Sequence, residues 1–141
     1  MAVRSLLRLT GLLEGGTALA LLLLPAIVFE LLFGQTLSSV PALLGGRLAG
    51  AALVSLAVAS WCAADGGVSI TGGLVRAMLL YNSLMLALLL YARMGLGLLG
   101  IALWPAVIVH ILMGGWCVLG IKPQPCRSLP DEKHRCVDTA N

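Results

Sequence analysis

The chain has 141 residues, of which 60% are hydrophobic and only 11% are charged, and its net charge is +3 at pH 7. Soluble domains are about half apolar and about a quarter charged, so a chain this apolar needs lipid around much of its surface. Its nine Lys and Arg residues form no basic stripe with interleaved aromatics, which excludes a nucleic-acid-binding protein and favours one membrane domain.

Four long apolar segments follow one another, separated by short polar turns. A membrane-crossing helix needs about 20 consecutive apolar residues, and each segment is close to that length. The predicted spans cover residues 11–33, 41–64, 74–92 and 96–120. Pro25 is expected to kink the first span. Because only short turns connect the spans, the sequence predicts an all-α membrane protein, a four-helix antiparallel up-down bundle within residues 1–121.

The start of the chain has two interpretations. Arg4 and Arg8 among leucines fit a signal peptide, but they also fit the interfacial first turns of a membrane helix, where basic side chains reach the headgroups. The apolar run continues to Phe33, longer than a signal peptide needs. We therefore expect an uncleaved first span.

The basic residues are distributed unevenly between the two ends of the predicted bundle. Arg47 and Arg93 lie at the end that holds the turns within each hairpin. The other seven lie at the end that holds both termini: Arg4, Arg8, Arg76, Lys122, Arg127, Lys133 and Arg135. Cytoplasmic loops carry an excess of Lys and Arg, so we expect both termini in the cytoplasm and the protein in the inner (plasma) membrane. Residues 122–141 form a polar tail, expected to be irregular.

Three spans each carry a polar side chain that is expensive to place in lipid: Glu14, Asn82 and His110. Counted at about 1.5 Å per residue, the three fall at similar depth, in the half of the bundle nearer the termini. One interpretation is a proton-handling or polar-ligand site. The other is a structural layer that holds the helices together by hydrogen bonds.

A second polar pair is predicted at the opposite end. Glu30 ends the first span and Arg47 begins the second, so the two side chains are candidates for an ion pair that fixes this hairpin. The alternative is an anionic-ligand site built on Arg47, because guanidinium suits bidentate recognition of carboxylate or phosphate. Tyr91 and Arg93 are expected nearby.

Glycines spaced four residues apart mark the predicted helix contacts. Gly11 and Gly15 share one face of the first span, and Gly46 and Gly50 share one face of the second. Small residues let helix backbones approach closely in a membrane. We expect packing within the bundle, with dimerisation as the alternative.

The cysteines and the remaining histidine define no complete metal or cofactor site. Cys62 and Cys117 lie near the same end of two spans, and we expect structural thiols there, with a redox dithiol as the alternative. Cys126, His134 and Cys136 in the tail lack a fourth zinc ligand. No catalytic motif is present, and one intramembrane histidine cannot supply both axial ligands of a haem. We expect no catalytic residue, no metal and no cofactor.

The overall pattern resembles small bacterial four-helix membrane proteins of the DoxX-like kind. The resemblance covers about residues 5–120. It is carried by Leu-Leu-Glu14-Gly, Gly46-Arg47-Leu48-Ala49-Gly50, Tyr81-Asn82, and Trp104-Pro105-Ala106 leading to His110. It implies the four-helix fold and a bacterial inner membrane. Because some DoxX relatives look like partners of quinone-linked sulfur oxidation, it also raises a redox-accessory role.

Three functional hypotheses follow from these observations. The leading one is an integral membrane accessory subunit that packs against other subunits of a larger complex, because the helices have small-residue faces and no catalytic set. The second is a small proton-coupled carrier or ligand-binding membrane protein that uses Glu14, Asn82 and His110. The third is an accessory to quinone- or thiol-linked redox chemistry.

Overall fold

The computed structural model describes residues 2–121, and all the regular secondary structure in that range is α-helix. In chain order the helices are α1 (Ala2–Leu23), α2 (Pro25–Phe33), α3 (Val40–Ala64), α4 (Val68–Met94) and α5 (Leu103–Gly120). All except α2 contain a segment long and apolar enough to cross a membrane. The predicted all-α, four-span membrane fold is confirmed. The tail, residues 122–141, lies outside the described residues.

The first span starts and ends earlier than the sequence predicted. The segment able to cross a membrane is Val3–Leu23, and Pro25 begins the separate short helix α2. Proline lacks the N–H that a continuous helix needs and disfavours helical dihedrals at the residue before it. Leu24 accordingly has φ −133° and ψ 52°. The expected kink is therefore a break between two helices.

The bundle consists of two antiparallel helix pairs. Helix α1 packs most extensively on α3 and helix α4 on α5, whereas contacts between the two pairs are fewer. The α1–α3 contact is close because glycines lie in it. A Cβ on Gly50 would lie 2.9 Å from the Ala18 carbonyl oxygen, and one on Gly11 would lie 3.1 Å from that of Ala57. Close backbone approach is what small residues provide in lipid.

The other two predicted packing glycines lie in looser or different contacts. A Cβ on Gly15 would meet the Ala57 Cβ at 3.7 Å, an ordinary van der Waals distance. Gly46 faces α2, where its Cβ would lie 2.9 Å from the Pro25 Cβ and 3.6 Å from the Phe29 ring. The glycine face of α3 thus receives α1 along one part and α2 along another.

Two hydrophobic clusters hold the helices together, one at each end. The proximal end, defined by residues 2 and 121, has a core shared by all four long helices. Its buried members are Leu6, Leu7, Ala63, Ala64, Val75, Met78, Met113 and Cys117. The distal cluster is smaller, with Leu89, Leu103 and Val107 from α4 and α5. The four long helices are therefore tied together mainly at the proximal end.

The linker between α4 and α5 closes the distal end by capping α2. The backbone N–H of Leu99 donates to the Phe33 carbonyl (3.2 Å), and that of Ala102 donates to the Leu31 carbonyl (2.8 Å). These bonds satisfy carbonyls that a helix C-terminus leaves unpaired. Gly100 lies directly against the Leu32 backbone, where a Cβ has no room. The contact fixes α2 against the start of α5.

Candidate functional site

Three helices contribute polar side chains to one small cavity between the two helix pairs. The lining residues are Thr10, Leu13 and Glu14 of α1, Asn82 of α4, and Val109, His110 and Met113 of α5. The cavity has a volume of about 20 Å³. A space of about 10–15 Å³ on this measure holds one water molecule, so there is room for one group of that size. The structure therefore brings all three residues of the predicted polar layer together.

The polar layer lies near the middle of the candidate spans. Glu14 is eleven residues after Val3, Asn82 is thirteen after Ser69, and His110 is seven after Leu103, the first residues of their spans. We predicted from the sequence that this layer lies nearer the proximal end, because we expected the first span to begin at Gly11. With the span beginning at Val3, Glu14 lies at mid-span.

Asn82 holds His110 in a defined orientation. Its side chain is 3% exposed, and its Nδ2 donates to the Met78 carbonyl at 2.8 Å. Because the amide nitrogen must face that carbonyl, the amide oxygen faces His110, whose Nδ1 lies 2.9 Å away. The Nδ1 nitrogen therefore carries the hydrogen and donates. Neutral His110 is left with Nε2 as a hydrogen-bond acceptor.

Glu14 is held by a hydrogen bond from a tyrosine. The Tyr81 hydroxyl donates to Oε2 of Glu14 at 3.1 Å, and the glutamate is only 8% exposed. The Tyr81 ring also stands edge-on to the His110 ring, with centroids 5.9 Å apart and planes at 72°. Within residues 2–121, the ion pairs closer than 4.0 Å join Arg4 and Arg8 to Asp65 and leave Glu14 without a basic partner.

Thr10 adds a hydroxyl that nothing in the described structure satisfies. It is 3% exposed, and its Oγ1 has no hydrogen-bond partner among residues 2–121. Buried hydroxyls are normally paired, and this one lines the cavity, where it can donate to or accept from a bound group. Thr10 precedes Glu14 by four residues, one helical turn, so the two side chains share a face.

Sequence reasoning missed Thr10 and Tyr81 as members of the site. A threonine near a helix start looks interfacial, and a tyrosine in an apolar span looks like packing. In the sequence, Thr10 could have been found by its spacing of four residues from Glu14. Tyr81 could have been found by its position next to Asn82.

The structure does not bring Glu30 and Arg47 together. Both side chains are exposed, and among residues 2–121 neither takes part in an ion pair within 4.0 Å. The reason is helix phase. Pro25 and Phe29 turn one face of α2 onto Gly46, and adjacent positions on a helix point about 100° apart. Glu30 and Arg47, each next to a contacting residue, point away from the contact, so the predicted ion pair is wrong.

The ion pairs that do form join the start of α1 to the end of α3. Asp65 accepts from Nη2 of Arg8 at 3.2 Å, and its carboxylate lies 3.5 Å from Nε of Arg4. Nε of Arg4 also donates to the Ala64 carbonyl at 3.1 Å. The Arg4, Arg8 and Asp65 side chains are exposed at the proximal end. The sequence did not predict the cluster, because Asp65 is 61 residues from Arg4.

The described thiols and carboxylates form no metal site. Cys62 is exposed, Cys117 is buried in the proximal core, and both are free thiols. Within residues 2–121, no three His, Cys, Asp or Glu side chains lie close enough together to hold a metal ion. The tail candidates Cys126, His134 and Cys136 lie outside the described residues.

The four apolar helices define the chain as a multi-pass helical membrane protein. No family model matches the chain, and neither a curated protein nor a solved structure matches it. The resemblance to DoxX-like proteins therefore stays a prediction. The function has to be argued from the geometry of the cavity.

Proposed function

We propose that the protein is a small proton-coupled membrane carrier or ligand-binding protein whose site is the mid-span cavity. Glu14 is the group that binds the proton, His110 contacts the ligand, Asn82 orients His110, and Tyr81 positions the Glu14 carboxyl. One observation carries the proposal. A carboxyl group and an imidazole from different helices line one cavity at mid-span, and among residues 2–121 the carboxyl has no basic partner.

The arrangement differs from what helix adhesion requires. Polar residues that only hold helices together satisfy one another, as the pair Asn82–His110 does. Glu14 and Thr10 do not, because the acid has a single tyrosine partner and the threonine hydroxyl has none among the described residues. Ionisable groups at membrane depth usually mark ion or proton pathways.

The position of the cavity between two helix pairs also favours a carrier. Membrane carriers commonly bind substrate near mid-depth, between two halves that rock against each other. Here α1 with α3 and α4 with α5 form the two halves, and they contact each other less than their own members do. Relative motion of the pairs would separate Glu14 on α1 from its Tyr81 partner on α4 and open the cavity.

The groups available for proton exchange come from three helices. Glu14 lies on α1, Tyr81 on α4 and His110 on α5, and α3 contributes no titratable side chain to the cavity wall as described. Of these, we assign the exchanging proton to Glu14, because its carboxyl has no basic partner among residues 2–121, whereas the Nδ1 hydrogen of His110 is bound to Asn82 and only Nε2 is free.

The proposed setting is the inner (plasma) membrane with both termini in the cytoplasm, supported by the seven basic residues expected at the proximal end. The accessory-subunit role and the redox-accessory role stay predictions. Exposed apolar side chains on the long helices fit lipid as well as a partner subunit, so they do not favour a complex.

Infrared spectroscopy of the protein reconstituted in lipid, recorded across a pH titration, tests the proton site. The carbonyl stretch of a protonated carboxyl is separate from the amide bands. We expect Glu14→Gln to remove one such band and Glu30→Gln, which changes the exposed glutamate, to leave it. Spectra of Glu14→Gln that match the unmodified protein at every pH would overturn the assignment.

A further inference from the structure

We propose that the ligand of the cavity is a water-sized cation bearing hydrogen-bond donors, of which ammonium is the type. The inference rests on the proposed function, because it names the ligand class of the same site. It is drawn from three properties of the cavity wall: which atoms accept hydrogen bonds, what charge is present, and how much space is available.

The polar atoms of the wall are predominantly acceptors. Oε2 of Glu14 already accepts from Tyr81, which leaves Oε1 to accept from a ligand. Neutral His110 offers Nε2, because its Nδ1 hydrogen is committed to Asn82. The unpaired Oγ1 of Thr10 supplies a third acceptor. The Thr10 hydroxyl can also donate, so the donor count alone does not separate ammonium from water; an ammonium ion has N–H groups enough to bond all three atoms at once.

The charge at the cavity favours a cation. Within the described part of the chain, Glu14 is the acidic residue on the wall, and no Lys or Arg lines it. A carboxylate within a membrane bundle is normally paired. An ammonium ion supplies both the positive charge and the donors, and it forms charge-assisted hydrogen bonds with the carboxylate.

The small volume of the cavity disfavours larger amines, and the atoms on its wall that could coordinate a metal disfavour alkali ions. About 20 Å³ accommodates one water-sized group, and the rest of the lining is apolar (Leu13, Val109 and Met113), so a methyl group added to the ligand fits less well than ammonium. Hard metal cations prefer a shell of oxygen ligands. This wall combines only two free oxygen-bearing side chains with an imidazole nitrogen. Potassium, similar to ammonium in size, therefore fits poorly.

Thermal unfolding of the full chain in detergent, followed by tryptophan fluorescence, tests the ligand class. Ammonium, potassium and methylammonium chlorides are compared at one buffered pH and one chloride concentration. A ligand that binds only the folded state stabilises it. At ten times its dissociation constant, we expect ammonium to raise Tm by about 5 °C over potassium, and methylammonium to give a smaller rise or none.

Variants of the wall provide the controls. Glu14→Gln and Thr10→Val should each abolish the ammonium-dependent rise, while Thr10→Ser, which keeps the hydroxyl, should retain it. Glu30→Gln should behave as the unmodified protein. Equal Tm values in ammonium and potassium would overturn the inference. An equal rise with methylammonium, or an undiminished rise in either Glu14→Gln or Thr10→Val, would also overturn it.

The failure of this inference is distinguishable from failure of the proposed function. If Glu14 shows its protonation band but ammonium has no effect on Tm, the ligand class is wrong and the proton site stands. If the band is absent, the proposed function falls, whatever ammonium does.

Discussion

Replacing Gly50 by alanine tests whether the α1–α3 contact is as close as the structure shows. The added Cβ would lie 2.9 Å from the Ala18 carbonyl oxygen, 3.0 Å from Cγ of Leu22 and 3.1 Å from Cβ of Leu21. The nearest of these is a backbone atom, which cannot move aside like the end of a flexible side chain. Helix α1 must therefore shift away from α3. Gly45, five residues earlier on the same helix, has nothing within 4 Å of its Cβ position and provides the control.

The expected difference in stability between Gly50→Ala and Gly45→Ala follows from two opposing effects. Alanine favours a helix over glycine by up to about 1 kcal/mol, and this gain is common to both variants. Overpacking a close contact costs about 1–3 kcal/mol, and only Gly50→Ala incurs it. Because the helix propensity cancels between the variants, we expect Gly50→Ala to be about 2 kcal/mol less stable than Gly45→Ala.

The measurement is unfolding in mixed micelles as the fraction of a denaturing detergent rises, followed by tryptophan fluorescence. Trp61 lies beside Gly11 in the same α1–α3 contact, so its emission reports the separation of these helices. If Gly50→Ala proves as stable as Gly45→Ala, α1 does not lie against α3 at this depth, and the two-pair description of the bundle is refuted.

Three further changes probe the site and the two ends of the bundle. Asn82→Leu leaves the Nδ1 hydrogen of His110 without its acceptor, so thermal unfolding should show a loss of about 1–2 kcal/mol; an unchanged Tm would contradict the hydrogen bond. Gly100→Ala forces a methyl group into the α2 backbone, so the same assay should show a loss of stability of about 3 kcal/mol. An unchanged stability would mean that the linker does not cap α2. Arg8→Gln breaks an exposed ion pair with Asp65 and should cost less than about 1 kcal/mol in micelles at low salt, and less still at high salt; a large, salt-independent loss would show that this pair is buried.

Much of the fold could be predicted because lipid imposes strong conditions on sequence. A segment that crosses the hydrocarbon must satisfy its backbone internally, so four apolar runs of sufficient length already imply four helices. One polar residue on each of three spans, counted by helical rise, was enough to place Glu14, Asn82 and His110 in one layer. These deductions depend only on composition and length along a single helix.

Which side chains pair between helices depends on how each helix is rotated about its own axis. Hydropathy alone does not determine this rotation when lipid-facing and protein-facing side chains are equally apolar. The structure turns Glu30 and Arg47 away from each other, although their positions along the chain favoured an ion pair. It also turns Tyr81 towards Glu14. Whether two polar residues at one depth meet is decided by the phase of each helix, and only tertiary packing sets that phase.

The properties of the cavity also come partly from the sequence and partly from the tertiary packing. The sequence by itself determined that costly polar groups lie inside the membrane bundle and that they belong to different helices. The tertiary structure decided that Thr10 joins them with an unpaired hydroxyl, that Asn82 commits the Nδ1 hydrogen of His110, and that the space left between them has room for one small group. The physical reason is that an empty volume and an unsatisfied acceptor are properties of surfaces brought together, and no single segment carries them.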